Sequence, residues 1–270
     1  MEPVSVSRGD SCLILSLPHT GTWLPPEVYS SLNERGRTLA DTDWRIDRLY
    51  ADLVPGVTVV RANFHRYLID ANRDPSGRSL YPGQNTTTLC PVTDFDGFPI
   101  YLEDKEPDPL DIQGRLSNFH EPYHAAIEAE LARVKGNHGV AVLYDCHSIR
   151  SEIPFLFQGV LPDFNIGTNG GVTCAPEMEV STAEICSLAK DYTMVLNGRF
   201  KGGWTTRHYG RPQEGVHAIQ MELTQSAYLD AENAPFAYSQ AKAEMLRPHL
   251  ESVLQALIAR AKGAAPRKEA

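Results

Sequence analysis

A single α/β domain, with a mixed and mostly parallel central sheet flanked by helices, is the fold this sequence predicts, on three observations. Short apolar runs bounded by turn residues recur at 12–17, 57–61, 67–70, 140–144 and 216–223, as buried strands do. Stretches with helical spacing lie between them. The alternation of the two is the pattern of a parallel sheet with both faces covered.

In chain order, the first strand, 12–17, ends at Pro18-His19. A helix is expected over 42–53, with Trp44, Ile46, Leu49, Tyr50 and Leu53 on one face. After the strands at 57–61 and 67–70 comes a proline-rich excursion, about 80–113, carrying Pro82, Pro91, Pro99, Pro107 and Pro109. Loops of that length inside a domain are usually functional. From Leu116 the apolar positions Phe119, Tyr123, Ile127, Leu131 and Val134 recur every three or four residues, and Gly136 is the expected stop. The strands at 140–144 and 216–223 follow. A long amphipathic helix over 236–258 contains Pro248, which predicts a kink or a break. The expected domain is 1–262, with a flexible tail at 263–270.

The chain has 270 residues, with 25 basic and 34 acidic side chains and a net charge of −9. That balance argues against a nucleic-acid partner and, at first sight, against an anionic ligand. The five cysteines are odd in number, widely spaced and free of CxxC pairs, which reads as a reduced set of thiols. No signal peptide or apolar run of about 20 residues occurs. The expectation is a cytoplasmic protein with a small-molecule partner and no membrane partner; no oligomeric state follows.

Chemistry gathers at the strand ends. His19 follows the first strand, His147 follows the strand at 140–144, and Glu222 lies near the end of 216–223, which places all three on the rim where α/β sheets bind ligands. Two imidazoles and a carboxylate suit zinc, with one position left for water; cobalt, manganese or iron would also be accepted. Asp43, expected to open the helix after the first strand, is the chosen acidic ligand, and Asp41, an alternative N-cap of that helix, is its competitor. Glu222 sits among apolar neighbours, so it either pairs with a base such as His217 or an arginine, or is held for chemistry. Asn72-Arg73 at the mouth of the 67–70 run offers a guanidinium and an amide to a carboxylate, unless Arg73 bridges Asp70 or Asp74. Arg66, Arg78, Arg150 and Arg207 fall near strand ends or loops, so local cations could hold a dianion despite the net charge. The glycine-rich stretches at 166–171 and 197–203 fit no nucleotide motif, and no GxSxG surrounds Ser148. Cys146 reads as a core thiol.

Several segments together resemble the N-formylglutamate amidohydrolases. They are Ser16-Leu17-Pro18-His19-Thr20-Gly21, Asp41-Thr42-Asp43-Trp44, Arg66-Tyr67 with Asp70 and Asn72-Arg73, Leu80-Tyr81-Pro82-Gly83-Gln84, Pro122-Tyr123-His124, Asp145-Cys146-His147-Ser148, Asn197-Gly198-Arg199-Phe200-Lys201-Gly202-Gly203, Thr206-Arg207-His208-Tyr209-Gly210 and the run 216–223. That family in turn looks like the zinc carboxypeptidases and aminoacylases. The resemblance implies a zinc-carboxypeptidase-like fold and hydrolysis of N-formyl-L-glutamate to glutamate and formate in histidine degradation. It implies zinc on His19, Asp43 and His147, and Glu222 as general base. Asn72, Arg73, Arg66, Arg150 and Arg207 would face the substrate carboxylates, and His208 the oxyanion. Thr22 stands where the carboxypeptidase His-x-x-Glu pattern has its acid, which is why Asp43 is needed; His65 before Arg66 could alter the substrate rim. The alternatives are a hydrolase of another N-acyl acidic amino acid, or a metal-free binder of such compounds.

Overall fold

The structure, a computed structural model, describes residues 1–264. Its strands are β1 (Val4–Ser7), β2 (Leu13–Leu17), β3 (Thr58–Ala62), β4 (Ala141–Ile149), β5 (Phe164–Gly167), β6 (Met194–Leu196) and β7 (Val216–Thr224). They form one sheet in the order β1-β3-β2-β4-β7-β5-β6. The centre, β3-β2-β4-β7, is parallel, while β1 joins β3 and β5 joins β7 antiparallel. β2, β4 and β7 are buried at every position, as strands covered on both faces must be. The α/β class and the mixed, mostly parallel sheet are therefore as expected.

The helices are α1 (Pro26–Ser31), α2 (Ile46–Tyr50), α3 (Pro109–Arg115), α4 (Glu121–His138), α5 (Pro176–Leu188), α6 (Trp204–Tyr209) and α7 (Gln240–Ala264), and a π-turn, Leu116–His120, joins α3 to α4. α4 packs against β1, β2, β3 and β4, whereas α7 packs against β2, β4, α2 and α5.

Several boundaries differ from expectation. Residues 67–70 are a buried turn rather than a strand: Asp70 N–H goes to the Leu89 carbonyl at 2.7 Å and Tyr67 N–H to His65 Nδ1 at 3.0 Å. A short apolar run reports burial, and burial alone does not select a strand. The helix expected over 42–53 shrinks to α2, because Arg45 takes a left-handed conformation (φ 63°) just before it. α4 runs past Gly136 to Gly139, whose φ of 75° makes it the actual cap. α7 continues through Pro248 without a break and extends to Ala264; residues 265–270 of the expected tail lie outside the described residues. β4 runs five residues past its expected end, so His147 lies within the strand. No helix among the described residues is long and apolar enough to cross a membrane.

α4 also buttresses the turn that leads into the site. His124, buried, places Nε2 2.8 Å from the Ala71 carbonyl and Nδ1 3.0 Å from the Tyr209 hydroxyl. Nε2–H donating and Nδ1 accepting describes a neutral ring. Burial, helped by neighbouring His120, pushes its pKa down to about 3. Since the folded value lies below the unfolded one, the unfolded chain takes up the proton first as pH falls. Stability contributed by this group is then complete above about pH 6.5 and is lost progressively toward pH 3. Lowering the pH from 7 to 5 should cost the wild type about 2 kcal/mol more than His124→Gln, read from denaturant unfolding at both pH values. An equal loss in the two proteins would refute the neutral-histidine assignment.

Candidate active site

The site is assembled where the parallel strands end, and sheet register does most of the positioning. β4 and β7 pair so that His147 lies directly beside Glu222. β2, next to β4, delivers His19 two residues past its last residue. Asp43 reaches the same point through its backbone, since its N–H donates to the His19 carbonyl at 3.0 Å.

His19, Asp43 and His147 are buried, and their ligand atoms all lie within 4.8 Å of one another. Asp43 Oδ2 is 3.2 Å from His147 Nδ1 and 3.6 Å from His19 Nδ1. A tetrahedral ion with bonds of about 2.0–2.1 Å sets its ligand atoms about 3.3 Å apart, so this spacing fits. The far ring nitrogens are held by buried carboxylates: His19 Nε2 lies 2.8 Å from Asp70 Oδ1, and His147 Nε2 lies 3.1 Å from Asp145 Oδ2. Carboxylate partners of this kind turn Nδ1 of each ring toward a metal and fix the tautomer that binds it. His19 Nδ1 and Asp43 Oδ1 are buried without any hydrogen-bond partner. Buried polar atoms are normally satisfied, so the orphaned His19 Nδ1, with Asp43 Oδ2 and His147 Nδ1 turned to the same point, fits an ion between them.

The supporting carboxylates are themselves locked. Asp145 accepts from Ser16 Oγ at 2.8 Å and Thr206 Oγ1 at 3.3 Å. Asp70 accepts from Arg66 at 2.6 Å and from the Asn72 backbone N–H at 2.8 Å, with Arg73 3.6 Å away. Burial would raise Asp70, but Arg66, Arg73 and His19 outweigh it and hold the carboxyl well below the usual range. Asp43 is also held down, with the two neighbouring imidazoles overcoming burial. Glu222 goes the other way. Burial pushes it up to about 8, with His147 opposing and Asp43 adding to the rise. Gln220, two residues earlier on the same face of β7, donates from Nε2 to Glu222 at 3.2 Å and accepts the Gly203 N–H at 2.6 Å.

One cavity is lined by His19, His147, Glu222, Asn72, Arg73 and Arg66. Asn72 Oδ1 accepts the Thr205 N–H, and its Nδ2 lies 3.0 Å from His147 Nε2. Gly203 permits this, because a Cβ there would come within 2.2 Å of the Asn72 amide. Arg73 is held by the Thr87 carbonyl and hydroxyl at 3.0 and 2.9 Å, so the excursion supplies part of the wall, along with Tyr81 and Phe95. Arg78 also lines the cavity, from an exposed position, whereas the remaining candidates lie elsewhere. Arg150 bonds Asp96 at 2.9 Å, Arg207 donates to the Gly202 carbonyl at 2.8 Å and His208 stacks on Trp204; none of these three lines the cavity. Asp41 turns its carboxylate to the Tyr67 hydroxyl and the Phe95 N–H rather than to the two histidines. His65 is fully buried against Thr42 Oγ1, away from the substrate rim. Cys146 and the other cysteines are buried and free, and Ser148 is held by Tyr228.

Sequence reasoning did not find Asp145 and Gln220 as supports. Strand alternation carries the signal, since 145 with 147 and 220 with 222 each share a face. Arg199, another cavity residue, had no such marker.

The pattern of the family described as N-formylglutamate amidohydrolase matches residues 11–229. An N-formylglutamate deformylase of Pseudomonas aeruginosa is 46% identical over 96% of this chain and 97% of its own length. One from Pseudomonas putida is 43% identical over 95% of this chain and 96% of its own. The crystal structure of an N-formylglutamate amidohydrolase from Ralstonia eutropha JMP134 superposes with a TM-score of 0.78 at 24% identity, covering 96% of this chain and 99% of that one.

Proposed function

The chain belongs to the N-formylglutamate amidohydrolase family, and from that premise we propose that it hydrolyses N-formyl-L-glutamate to L-glutamate and formate in histidine degradation, with zinc as its metal. The observation that carries the reading is the orphaned, buried His19 Nδ1 gathered with Asp43 and His147 beside Glu222. A divalent ion held by His19, Asp43 and His147 would polarise the formyl carbonyl and make the attacking water more acidic.

The chain's own residues do the rest. Asn72 and Arg73 lie next to the histidines and offer donors to the α-carboxylate, one bond from the carbon that bears the scissile amide nitrogen. Arg66, locked on Asp70, adds positive charge to the same wall. Glu222 takes a proton from water as the water oxygen bonds to the formyl carbon, then returns it to the nitrogen as the carbon–nitrogen bond breaks. A carboxyl raised by burial suits both halves of that exchange, because it holds the proton between the two steps. Gln220 keeps Glu222 turned into the cavity.

Purified protein should release formate from N-formyl-L-glutamate, lose that activity on chelation and regain it when zinc is restored. Formate release that persists after exhaustive chelation, with no metal in the protein, would overturn the metal-site reading. Turnover of N-acetyl- or N-succinylglutamate in preference to the formyl compound would overturn the substrate.

A further inference from the structure

We propose that Arg199 is the specificity-determining residue for the distal carboxylate, so that the enzyme selects a dicarboxylate over a neutral side chain; this rests on the deformylase reading of the same cavity. Arg199 lines the cavity that holds His19, His147 and Glu222. It is partly buried, and among the described residues it makes no ion pair. Of the cavity's other arginines, Arg66 and Arg73 face Asp70, and Arg78 stands exposed to solvent, so Arg199 is the one drawn partly out of water with no acid beside it. A guanidinium drawn from water without an anion is a costly arrangement, and a ligand carboxylate relieves it.

Arg199 is also held in place. Its Nε donates to the Leu156 carbonyl at 3.2 Å and one terminal nitrogen donates to the Asn85 carbonyl at 3.2 Å. The other terminal nitrogen, Nη1, makes no hydrogen bond to any of the described residues. The guanidinium lies 5.6 Å from the Tyr81 ring and 5.5 Å from the Phe200 ring. Its loop is pinned at both ends. Asn197, left-handed at φ 52°, accepts the Thr168 N–H and donates to Thr168 Oγ1, and Tyr81 bonds Lys201 N–H and the Gly202 carbonyl. Arg199 therefore ties three loops together with donor capacity to spare.

The chemistry of the substrate divides the cations. The α-carboxylate is next to the reacting amide and falls to Asn72, against His147, and Arg73, beside the Asp70 that holds His19. The second carboxylate lies two methylenes further from the reacting centre. It needs a cation on the wall formed by the 80s, 150s and 190s loops, and Arg199 joins all three.

The test compares N-formyl-L-glutamate with N-formyl-L-glutamine, a neutral near-isostere. In Arg199→Gln, kcat/KM for the glutamate compound should fall roughly 30-fold or more, mainly through KM, because a desolvated charge pair has lost one partner. The glutamine compound should change less than about threefold, and Arg199→Lys should recover part of the preference. Equal losses for both substrates, or an unchanged preference, would overturn the assignment. Calorimetric binding of both compounds to Glu222→Gln, with and without Arg199→Gln, provides a readout free of turnover. Should the wild type release formate from neither compound, the deformylase reading fails, and the calorimetry still decides whether Arg199 reads the second carboxylate.

Discussion

Glu222→Gln should lower kcat by about 10²- to 10⁴-fold, the usual contribution of a positioned general base, while metal content stays at the wild-type level. The substitution keeps size and hydrogen-bonding capacity, and Glu222 is no member of the metal trio. Its place is fixed by the sheet: β4 and β7 pair residue by residue through His147–Glu222, so a side-chain change leaves the neighbouring ligand where it was. The pH profile provides a second check. Glu222 works as a base only when ionised, and burial raises its pKa while His147 lowers it. Wild-type kcat/KM should therefore climb with pH through that ionisation, and a cation on the trio moves the climb to lower pH. In the glutamine variant the climb should vanish with the activity. Metal analysis beside steady-state kinetics from pH 5 to 9 measures both, and a variant that keeps a tenth of wild-type turnover would remove Glu222 from the role.

What could be read from residues alone follows from physical rules of different reach. His19, His147 and Glu222 were legible as one rim because polar residues terminating apolar runs are rare, and parallel strands bring their ends together. The choice between Asp41 and Asp43 was not decidable from spacing. In the fold, a backbone bond to His19 draws in Asp43, while Tyr67 and the Phe95 N–H occupy Asp41. Strands β1, β5 and β6 escaped notice for separate reasons. β1 is a largely exposed edge, β6 is three half-buried residues, and β5 is four residues among loop-like neighbours. The arginines show the limit most clearly. Proximity to a strand end suggested Arg150 and Arg207, yet Asp96 and the Gly202 carbonyl hold them outside the cavity. Arg199 lines it instead, brought there by contacts to residues 85 and 156 that no local pattern encodes. The net charge of −9 likewise says little about the mouth, which Arg66, Arg73, Arg78 and Arg199 line.

Asp70→Asn should be the most damaging single change outside the trio and Glu222, acting on stability and metal binding together. The wild-type carboxylate is fully buried and serves four groups: His19 Nε2, the Asn72 N–H, Arg66 and, more distantly, Arg73. An asparagine can still accept from His19 and Asn72 with one oxygen. Its amide nitrogen then meets Arg66, a donor facing a donor, and the nearest remaining acid is Asp43 at 4.0 Å. Leaving a buried charge unpaired costs about 3–5 kcal/mol, which denaturant unfolding of the metal-free proteins at pH 7 should register. The sign with pH is fixed by the depressed carboxyl. Its contribution is complete above the unfolded value of about 3.9 and disappears as pH falls through the lower folded value, so wild type and variant should converge only in strong acid. Metal affinity should fall about 10- to 100-fold, because the neutral partner no longer fixes the His19 tautomer or strengthens its Nδ1, and competition against a chelator measures that loss. A variant with wild-type metal affinity and less than about 1 kcal/mol of destabilisation, against the 3–5 expected for a broken buried pair, would show that Asp70 neither orients His19 nor neutralises Arg66.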